Sequence, residues 1–499
     1  MGAGRPVAPS DPERAGPSDR GRVVVASNRG PVTFVPDEAG RPVPRRGVGG
    51  LVSALTGALQ RTGGLWVAAA MSDLDRELAA RGRLDVAELG WNFGVRSLVV
   101  DPETYDRFYN GVSNRVLWFL HHYLWDVPRA PSFGPQEREA WEAYRKVNRT
   151  FARALAEEGE AQGGPAYLVQ DYHLSLVPAA LRELRPGAPV AHFFHIPFAD
   201  PTYVRLLPTA LRRELLAGML GADVLGFHTE RWARNFLGCC EAEGIRVDRR
   251  RRAVSWQGRE VRVRPYPLGA DVEGLAAAAD TPEARAALAE LEAWRGEARL
   301  VLRVDRAELS KNILRGFLAF ELFLRRYPEW RGRVRFLALL NPSRGDLEEY
   351  AAYVEQCLAV AERVNRELGS GGWRPLEVSL KDDFPRAVAA YQLYDVLLVN
   401  PVFDGMNLVA KEGPVLNRRD GVLVLSENAG AFEEVGRYAV RVNPFDVLET
   451  AEAIAAALAM DREERARRAR ALRRAVRRNP LERWVEAQLA DLEDARRRG

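Results

Sequence analysis

The sequence predicts an α/β protein made of two doubly wound, largely parallel sheets that face each other across a cleft. Three observations lead there. Short β-branched runs alternate with stretches of helical apolar spacing along most of the 499 residues, the pattern of parallel strands covered by helices. The runs are nearly continuous in apolar character, as expected of strands buried on both faces. The alternation is interrupted once, by a hairpin-like stretch, and then resumes, so the chain holds two such units.

The elements follow in order. Residues 1–21 are polar and rich in Pro and Gly, and read as a disordered leader without the apolar core of a secretory signal. RVVVASNRG (22–30) is a buried strand stopped by Asn and Gly, and Gly49-Gly50 opens into a helix over 51–60. Strands at 166–173, 189–198 and 222–229 alternate with helices at 177–185, 206–220 and 231–244. Residues 245–268 read as a hairpin and an exit strand, which sets the first unit at 22–268. An Ala- and Glu-rich helix over 271–294 follows. The second series has strands at 298–306, 333–344, 376–380, 395–400 and 421–427, with a long helix at 346–367, and the second unit spans 269–479. The last helix, 480–498, is expected to pack back on the first unit, and the boundary is expected near Gly269.

Composition excludes several classes. Hydrophobic residues are 47% and charged residues 28%, a globular balance. Three cysteines cannot build a disulfide framework or a four-cysteine zinc site. No apolar run approaches the ~20 residues of a membrane span. The net charge of +4, from 72 basic and 68 acidic groups, gives no nucleic-acid signal. The basic run at 464–478 has Ala and Leu at helical spacing and reads as a solvated helix face. A cytoplasmic protein without nucleic-acid or membrane partners is the expectation. Only four of the basic residues are lysine (Lys146, Lys311, Lys381, Lys411), which draws attention to them, since an ammonium does not substitute for a guanidinium at a tight site.

The polar clusters sit at strand ends. No GxGxxG follows the first strand and no GxxxxGK[ST] occurs, which opposes a dinucleotide oxidoreductase and a P-loop nucleotidase. Asp73-Leu74-Asp75 reads as helix capping, and no structural metal is expected. PVFDGMNLVAKEG (401–413) follows an apolar strand, with Asp404-Gly405 as a turn and a helix beginning at Met406; its free N–H groups form an anion site. Glu412 lies one turn in, where a carboxylate can take both hydroxyls of a ribose; the alternative is a capped helix after a strand, a position that Asp and Glu both favour. In RVDRAELSKN (303–312), Arg306 and Lys311 are spaced to straddle a diphosphate, the alternative being surface bases beside Asp305 and Glu308. Arg29 and Arg344 lie at two further strand ends. Four bases at four strand ends, from both units, point into one cleft.

These segments, with YNGVSNRVLW (109–118), LVQDYHLSLVP (168–178), HFFHIPF, GADVLGFHTERWARNF, NPSRGD and VNPFD (442–446), together resemble the trehalose-6-phosphate synthases. These are retaining glycosyltransferases of the GT-B fold, and the likeness runs toward actinobacterial members. The resemblance implies transfer of glucose from UDP- or GDP-glucose to glucose 6-phosphate, with no required cofactor, Mg²⁺ as a stimulant to be tested, and a homo-oligomer left open. It also implies roles. Arg306 and Lys311 hold the donor diphosphate with the backbone of Asn407, Leu408 and Val409, and Gly50 approaches the same phosphates. Glu412 binds the ribose. Asp404, His195 and the Gly405-Met406 backbone position the donor glucose. Asp171 contacts the acceptor sugar, and Arg29, Tyr109, Trp118 and Arg344 bind the acceptor, chiefly its phosphate. Phe403 stands where many relatives carry Arg, and Asn312 where Gly commonly follows the Lys. Two other readings share the scaffold: a pseudo-glycosyltransferase coupling a nucleotide-activated cyclitol to an aminocyclitol phosphate, whose members resemble DGQNL where this chain has DGMNL, and a non-catalytic regulatory homologue.

Overall fold

The computed structural model describes residues 22–498 apart from 38–40, 48–49, 81–85, 87–88, 162–163 and 346; the expected leader lies outside the described residues. The first part of the chain supplies β1 (Val23–Ser27), a hairpin of β2 (Val32–Pro36) and β3 (Pro42–Arg46), β4 (Leu65–Ala69), β5 (Gly94–Leu98), β6 (Ala166–Gln170), β7 (Val190–Phe194), β8 (Val224–Phe227), β9 (Val247–Asp248), β10 (Ala253–Trp256) and β11 (Arg259–Pro265). The second part supplies β12 (Arg299–Arg306), β13 (Val334–Asn341), β14 (Leu376–Leu380), β15 (Val396–Val399), β16 (Val422–Ser426) and β17 (Val440–Val442).

Two sheets result, in the orders β5-β4-β1-β6-β7-β8-β11-β10-β9 and β14-β13-β12-β15-β16-β17. The second is parallel throughout, and the first is parallel except where β10 pairs antiparallel with β9 and β11. Strands buried on both faces explain the continuous apolar runs. In β1, Val24 and Ala26 enter one core while Val23 and Val25 enter the other; in β12, Val301 faces opposite to Leu300 and Leu302. Each sheet reverses its winding once, between β1 and β6 and between β12 and β15. Such switch points leave a crevice beyond the carboxyl ends of the strands, where ligands bind.

Two elements differ from expectation. The stretch 271–294 is two helices, Val272–Ala279 and Pro282–Arg295. Thr281 caps the second with its hydroxyl, and Pro282 fits a first helical position but cannot continue the preceding helix. The helix expected from Met406 begins at Val409 and runs to Leu416, because Asn407 takes a left-handed φ of 68°.

The helix Leu481–Arg498 lies on the first sheet, with Trp484, Val485 and Leu492 buried beside Leu168 and Phe193. Asp491 accepts the Tyr266 hydroxyl at 2.5 Å and Asp494 pairs with Arg262 at 2.7 Å. The chain therefore passes between the sheets twice, and the two passages touch: a Cβ on Gly269 would lie 2.3 Å from the Asn479 carbonyl oxygen. Trp484→Ala removes the largest anchor of this returning helix. It is expected to cost about 3–5 kcal/mol, read as a lower midpoint in urea unfolding; an unchanged midpoint would show that the helix is dispensable to the first half.

Candidate active site

A cavity of about 800 Å³ lies between the two sheets at both switch points. Ten predicted residues line it: Arg29, Tyr109, Trp118, Asp171 and His195 from the strand ends and loops of the first half, with Arg306, Lys311, Arg344, Asp404 and Gly405 opposite. The other predicted positions, Gly50, Met406, Asn407, Leu408, Val409 and Glu412, do not border it directly. Gly50 starts the helix Gly50–Thr62, whose Val52 does border it. Met406 to Glu412 continue behind Gly405 into the helix Val409–Leu416.

The floor of the first half comes from β1 and β6. Ser27 at the end of β1 donates to the Arg29 carbonyl at 2.6 Å and accepts the Trp66 indole N–H at 2.7 Å, which fixes the turn that presents Arg29. Arg29 then reaches the Tyr109 hydroxyl at 3.5 Å. Directly after β6, Asp171 has φ 71° and ψ 169°, a region that costs a non-glycine residue on the order of 1–3 kcal/mol and persists where surroundings over-determine it. Here its carboxylate does so, accepting the backbone N–H groups of Tyr172 at 2.9 Å and His195 at 3.1 Å. The His195 ring meets the Gln170 side-chain oxygen through Nε2 at 2.9 Å, and burial holds this ring well below the usual imidazole range.

Tyr109 and Trp118 sit on or beside a widened π-helical segment, Arg107–Leu117. Its wider turn suits a ligand-facing wall. Tyr109 stacks on His173 at 5.8 Å. Trp118 lies under the Arg344 guanidinium at 3.9 Å and beside Arg306 at 5.5 Å. Its indole N–H is buried and has no partner among the described residues.

The second half brings the charges. Lys311 donates to Asp404 at 2.5 Å, and Asn407 donates to the same carboxylate at 3.1 Å. Glu308, beside which the alternative reading set a pair of surface bases, is fully buried. It accepts Arg344 and the Ser343 hydroxyl, each at 2.7 Å, and pairs with Arg306 at 3.2 Å. Arg344 also donates to Asn114 of the first half at 2.9 Å. Burial works against the Glu308 charge, but Arg306, Arg344 and Lys311 outweigh it and bring the carboxyl down to about 2. Asp404 is also held below the usual range: burial pushes it up, and Lys311 more than offsets that. Burial pushes Asp171 up to about 6. It also pushes Glu412 up to about 7, aided by the Asp271 charge.

The sheets approach so closely here that one position tolerates only glycine. A Cβ on Gly405 would lie 2.1 Å from the His195 carbonyl oxygen. The Gly405 carbonyl in turn accepts the Trp232 indole N–H at 3.0 Å. Phe403, the departure from Arg, packs on Tyr123 with ring centroids 4.4 Å apart and lies under Arg231 at 5.3 Å. Asn312, the departure from Gly, is left-handed at φ 59° and buried, donating to the carbonyls of Asn400 and Pro444 at 2.9 and 2.7 Å. Asn tolerates that conformation, and its amide ties together the ends of β15 and β17.

Sequence reasoning missed several lining residues, among them Asn28, Arg76, Gln170 and Tyr172. Gln170 and Tyr172 flank Asp171 in a motif already singled out; Arg76 follows the Asp73–Asp75 stretch, which is a capping box as expected, with Ser72 and Asp75 in reciprocal hydrogen bonds. Asp383 likewise caps a helix, accepting from the Arg386 N–H. Among the described residues no three His, Cys, Asp or Glu side chains converge as a metal site, and no helix is long and apolar enough to cross a membrane.

Comparison with known proteins gives the same picture over nearly the whole chain. The model of glycosyltransferase family 20 matches residues 21–494. The chain is 37% identical over 476 residues to the bifunctional trehalose-6-phosphate synthase/phosphatase of Thermoproteus tenax, covering 93% of this chain and 62% of that protein. It is 36% identical over 480 residues to the validamine 7-phosphate valienyltransferase of Streptomyces hygroscopicus subsp. jinggangensis, covering 94% of each. A solved structure described as trehalose-6-phosphate from E. coli bound with UDP-2-fluoro glucose superposes with a TM-score of 0.82 at 31% identity, covering 94% of this chain and 98% of that one.

The raised carboxyls set a pH dependence. Asp171 and Glu412 hold their protons more tightly in the fold than in the unfolded chain, so between about pH 4 and about pH 7 the folded state carries more protons than the unfolded chain. Stability falls across that window, by about 1.4 kcal/mol per unit of displacement. The Asp171→Asn/Glu412→Gln double variant should show a flatter fall, measured as urea midpoints at stepped pH; parallel slopes in both proteins would contradict the assignment.

Proposed function

The chain belongs to glycosyltransferase family 20, and on that premise we propose that it is a trehalose-6-phosphate synthase, moving glucose from a nucleoside-diphosphate glucose to glucose 6-phosphate with retention. One observation carries the reading: cations from both halves and unpartnered buried donors converge on a single cavity. The Asn28 and Gln170 amide nitrogens and the Trp118 indole nitrogen are buried without partners among the described residues, and all three residues line the cavity with five cationic side chains, Arg29, Arg76, Arg306, Lys311 and Arg344. Buried polar groups need partners, and two phosphorylated sugars supply them.

In this reading the donor diphosphate sits between Arg306, Lys311 and the start of the helix Val409–Leu416. The N–H groups of that helix start favour anions. Glu412, one turn in, takes the ribose. The donor glucose lies against Asp404, His195 and the Gly405-Met406 backbone. The acceptor lies at the opposite end of the cavity, its phosphate held by Arg29, Tyr109, Trp118 and Arg344 and its sugar by Asp171. The acceptor hydroxyl attacks the anomeric carbon from the face of the leaving group. The bond from that carbon to the diphosphate oxygen breaks as the new glycosidic bond forms, and the departing oxygen takes the hydroxyl proton. The protein contributes positioning and charge. Lys311 exchanges its contact with Asp404 for the diphosphate, so the ammonium is neutralised whether or not the donor is bound. UDP-2-fluoro glucose in the E. coli structure supports a uridine donor.

The comparable identity to the valienyltransferase supports a second reading, transfer of an activated cyclitol to an aminocyclitol phosphate. Met406, buried behind Gly405, stands where that group resembles Gln, and favours the sugar reaction. Purified protein is mixed with glucose 6-phosphate and UDP-, GDP- or ADP-glucose, with release of nucleoside diphosphate and the mass of a disaccharide phosphate followed. Turnover with one donor is expected, lowered about 10²–10³-fold by Lys311→Ala. No product with any donor, in protein that unfolds cooperatively, would sink the reading in favour of the cyclitol reaction.

A further inference from the structure

A second cavity, of about 550 Å³, lies where the chain passes between the two halves. The outward passage runs through Pro265–Pro267 and the return through Arg478 and Asn479; Asn479 donates to the Pro267 carbonyl at 2.9 Å and joins them. Five arginines line this cavity: Arg252 and Arg264 from the hairpin of the first half, Arg437 from the second half, and Arg478 and Arg483 on either side of the return.

Against these five stand two carboxylates in the lining, Glu434 and Asp491, so the cavity keeps an excess of positive charge. Glu434 is ion-paired with the buried Lys411, and Asp491 accepts the Tyr266 hydroxyl at 2.5 Å. Arg252 alone of the five reaches a carboxylate, Glu230 at 3.2 Å. Arg264 donates to the backbone carbonyls of Arg251 and Arg252, which carry no neutralising charge. Arg437 lies over the Tyr438 ring at 4.7 Å. Among the described residues Arg478 and Arg483 have no ion pair. In the cavity lined by Arg145, Arg182 and Arg259, those three are neutralised, Arg145 by Glu214 and the other two by Asp223, while Arg149 has no ion pair among the described residues. The wall beneath the arginines is Trp484, fully buried, whose indole nitrogen has no partner among the described residues.

We propose that this cavity is a second anion site, which takes a small molecule carrying a phosphate or diphosphate group and clamps the two passages together. Its volume is that of a small-ligand pocket. Guanidinium groups bind phosphate oxygens in paired hydrogen bonds. Because the five groups come from both halves and from the return passage, one anion shared among them fixes those parts relative to each other, and differential binding to one arrangement is what shifts such an equilibrium. The proposal is independent of the reading of the cleft.

Inorganic pyrophosphate is the probe, titrated calorimetrically into the full chain, the Arg478→Glu/Arg483→Glu double variant and the Lys311→Ala variant. The wild type should show two classes of site. Charge reversal should weaken one class at least tenfold and leave the other, while Lys311→Ala weakens only the other. Both arginines are exposed at their positions, so the fold is expected to survive; Arg478→Gln/Arg483→Gln provides a milder variant whose binding should fall between. Pyrophosphate binding that is unchanged by reversal, or that disappears entirely with Lys311→Ala, would place all of it in the cleft and overturn the proposal.

Discussion

The buried carboxylate of Glu308 is the interaction on which the cleft depends. Arg306, Arg344 and Lys311 crowd positive charge on one wall of the cavity, and without a counter-charge they repel one another. Glu308 removes that difficulty by holding Arg306 and Arg344 together while Asp404 holds Lys311. The cationic face is thereby preorganised, with its counter-charges supplied from beneath. Arg344 then extends the network across the cleft to Asn114 and to the Tyr172 hydroxyl, so the same charge cluster that meets a ligand also ties the halves.

The second constraint is steric. At Gly405 the two halves meet backbone to backbone, and Trp232 closes the contact by donating to the Gly405 carbonyl. Around it, Glu433 of the second half accepts the N–H groups of Glu230 and Arg231 at the start of a helix in the first, where a carboxylate meets the positive end of the helix dipole. Phe403 adds an aromatic contact with Tyr123 in place of the arginine common in relatives. The approach of the two walls of the cavity is consequently set by main-chain packing.

Backbone strain gathers in the same place. Asp171, Asn312, Arg344 and Asn407 all have positive φ. Each is held by specific partners: Asp171 by two backbone N–H groups, Asn312 by two carbonyls, Arg344 by Glu308, Asn407 by Asp404. Strain that persists under such over-determination marks functional loops. Lys411 shows the structural counterpart. It is as buried as any core residue, and its ammonium donates to the Leu268 carbonyl and pairs with Glu434, so one rare lysine serves the cleft and another serves the junction between halves.

By itself the sequence determined the α/β class, the two alternating series and the strand ends that carry chemistry, because two-faced burial writes continuous apolar runs and strand ends must be marked by Gly, Asn, Asp and Pro. It likewise carried the motif around Asp404 and the likeness to a glycosyltransferase family. Three things were decided only in the tertiary structure. The break at Thr281-Pro282 and the late start of the helix at Val409 depend on capping and on one left-handed residue, which periodicity does not record. Glu308 reads as a surface acid in a polar loop, and becomes a buried hub only because Arg306 and Arg344, 38 residues apart, reach it from the ends of adjacent strands. The convergence of Arg478 and Arg483 with the Arg252–Arg264 hairpin likewise exists only where the chain returns to its first half. Local pattern fixes which residues lie on which face; the partners of a charge are fixed by the packing of segments far apart in the chain.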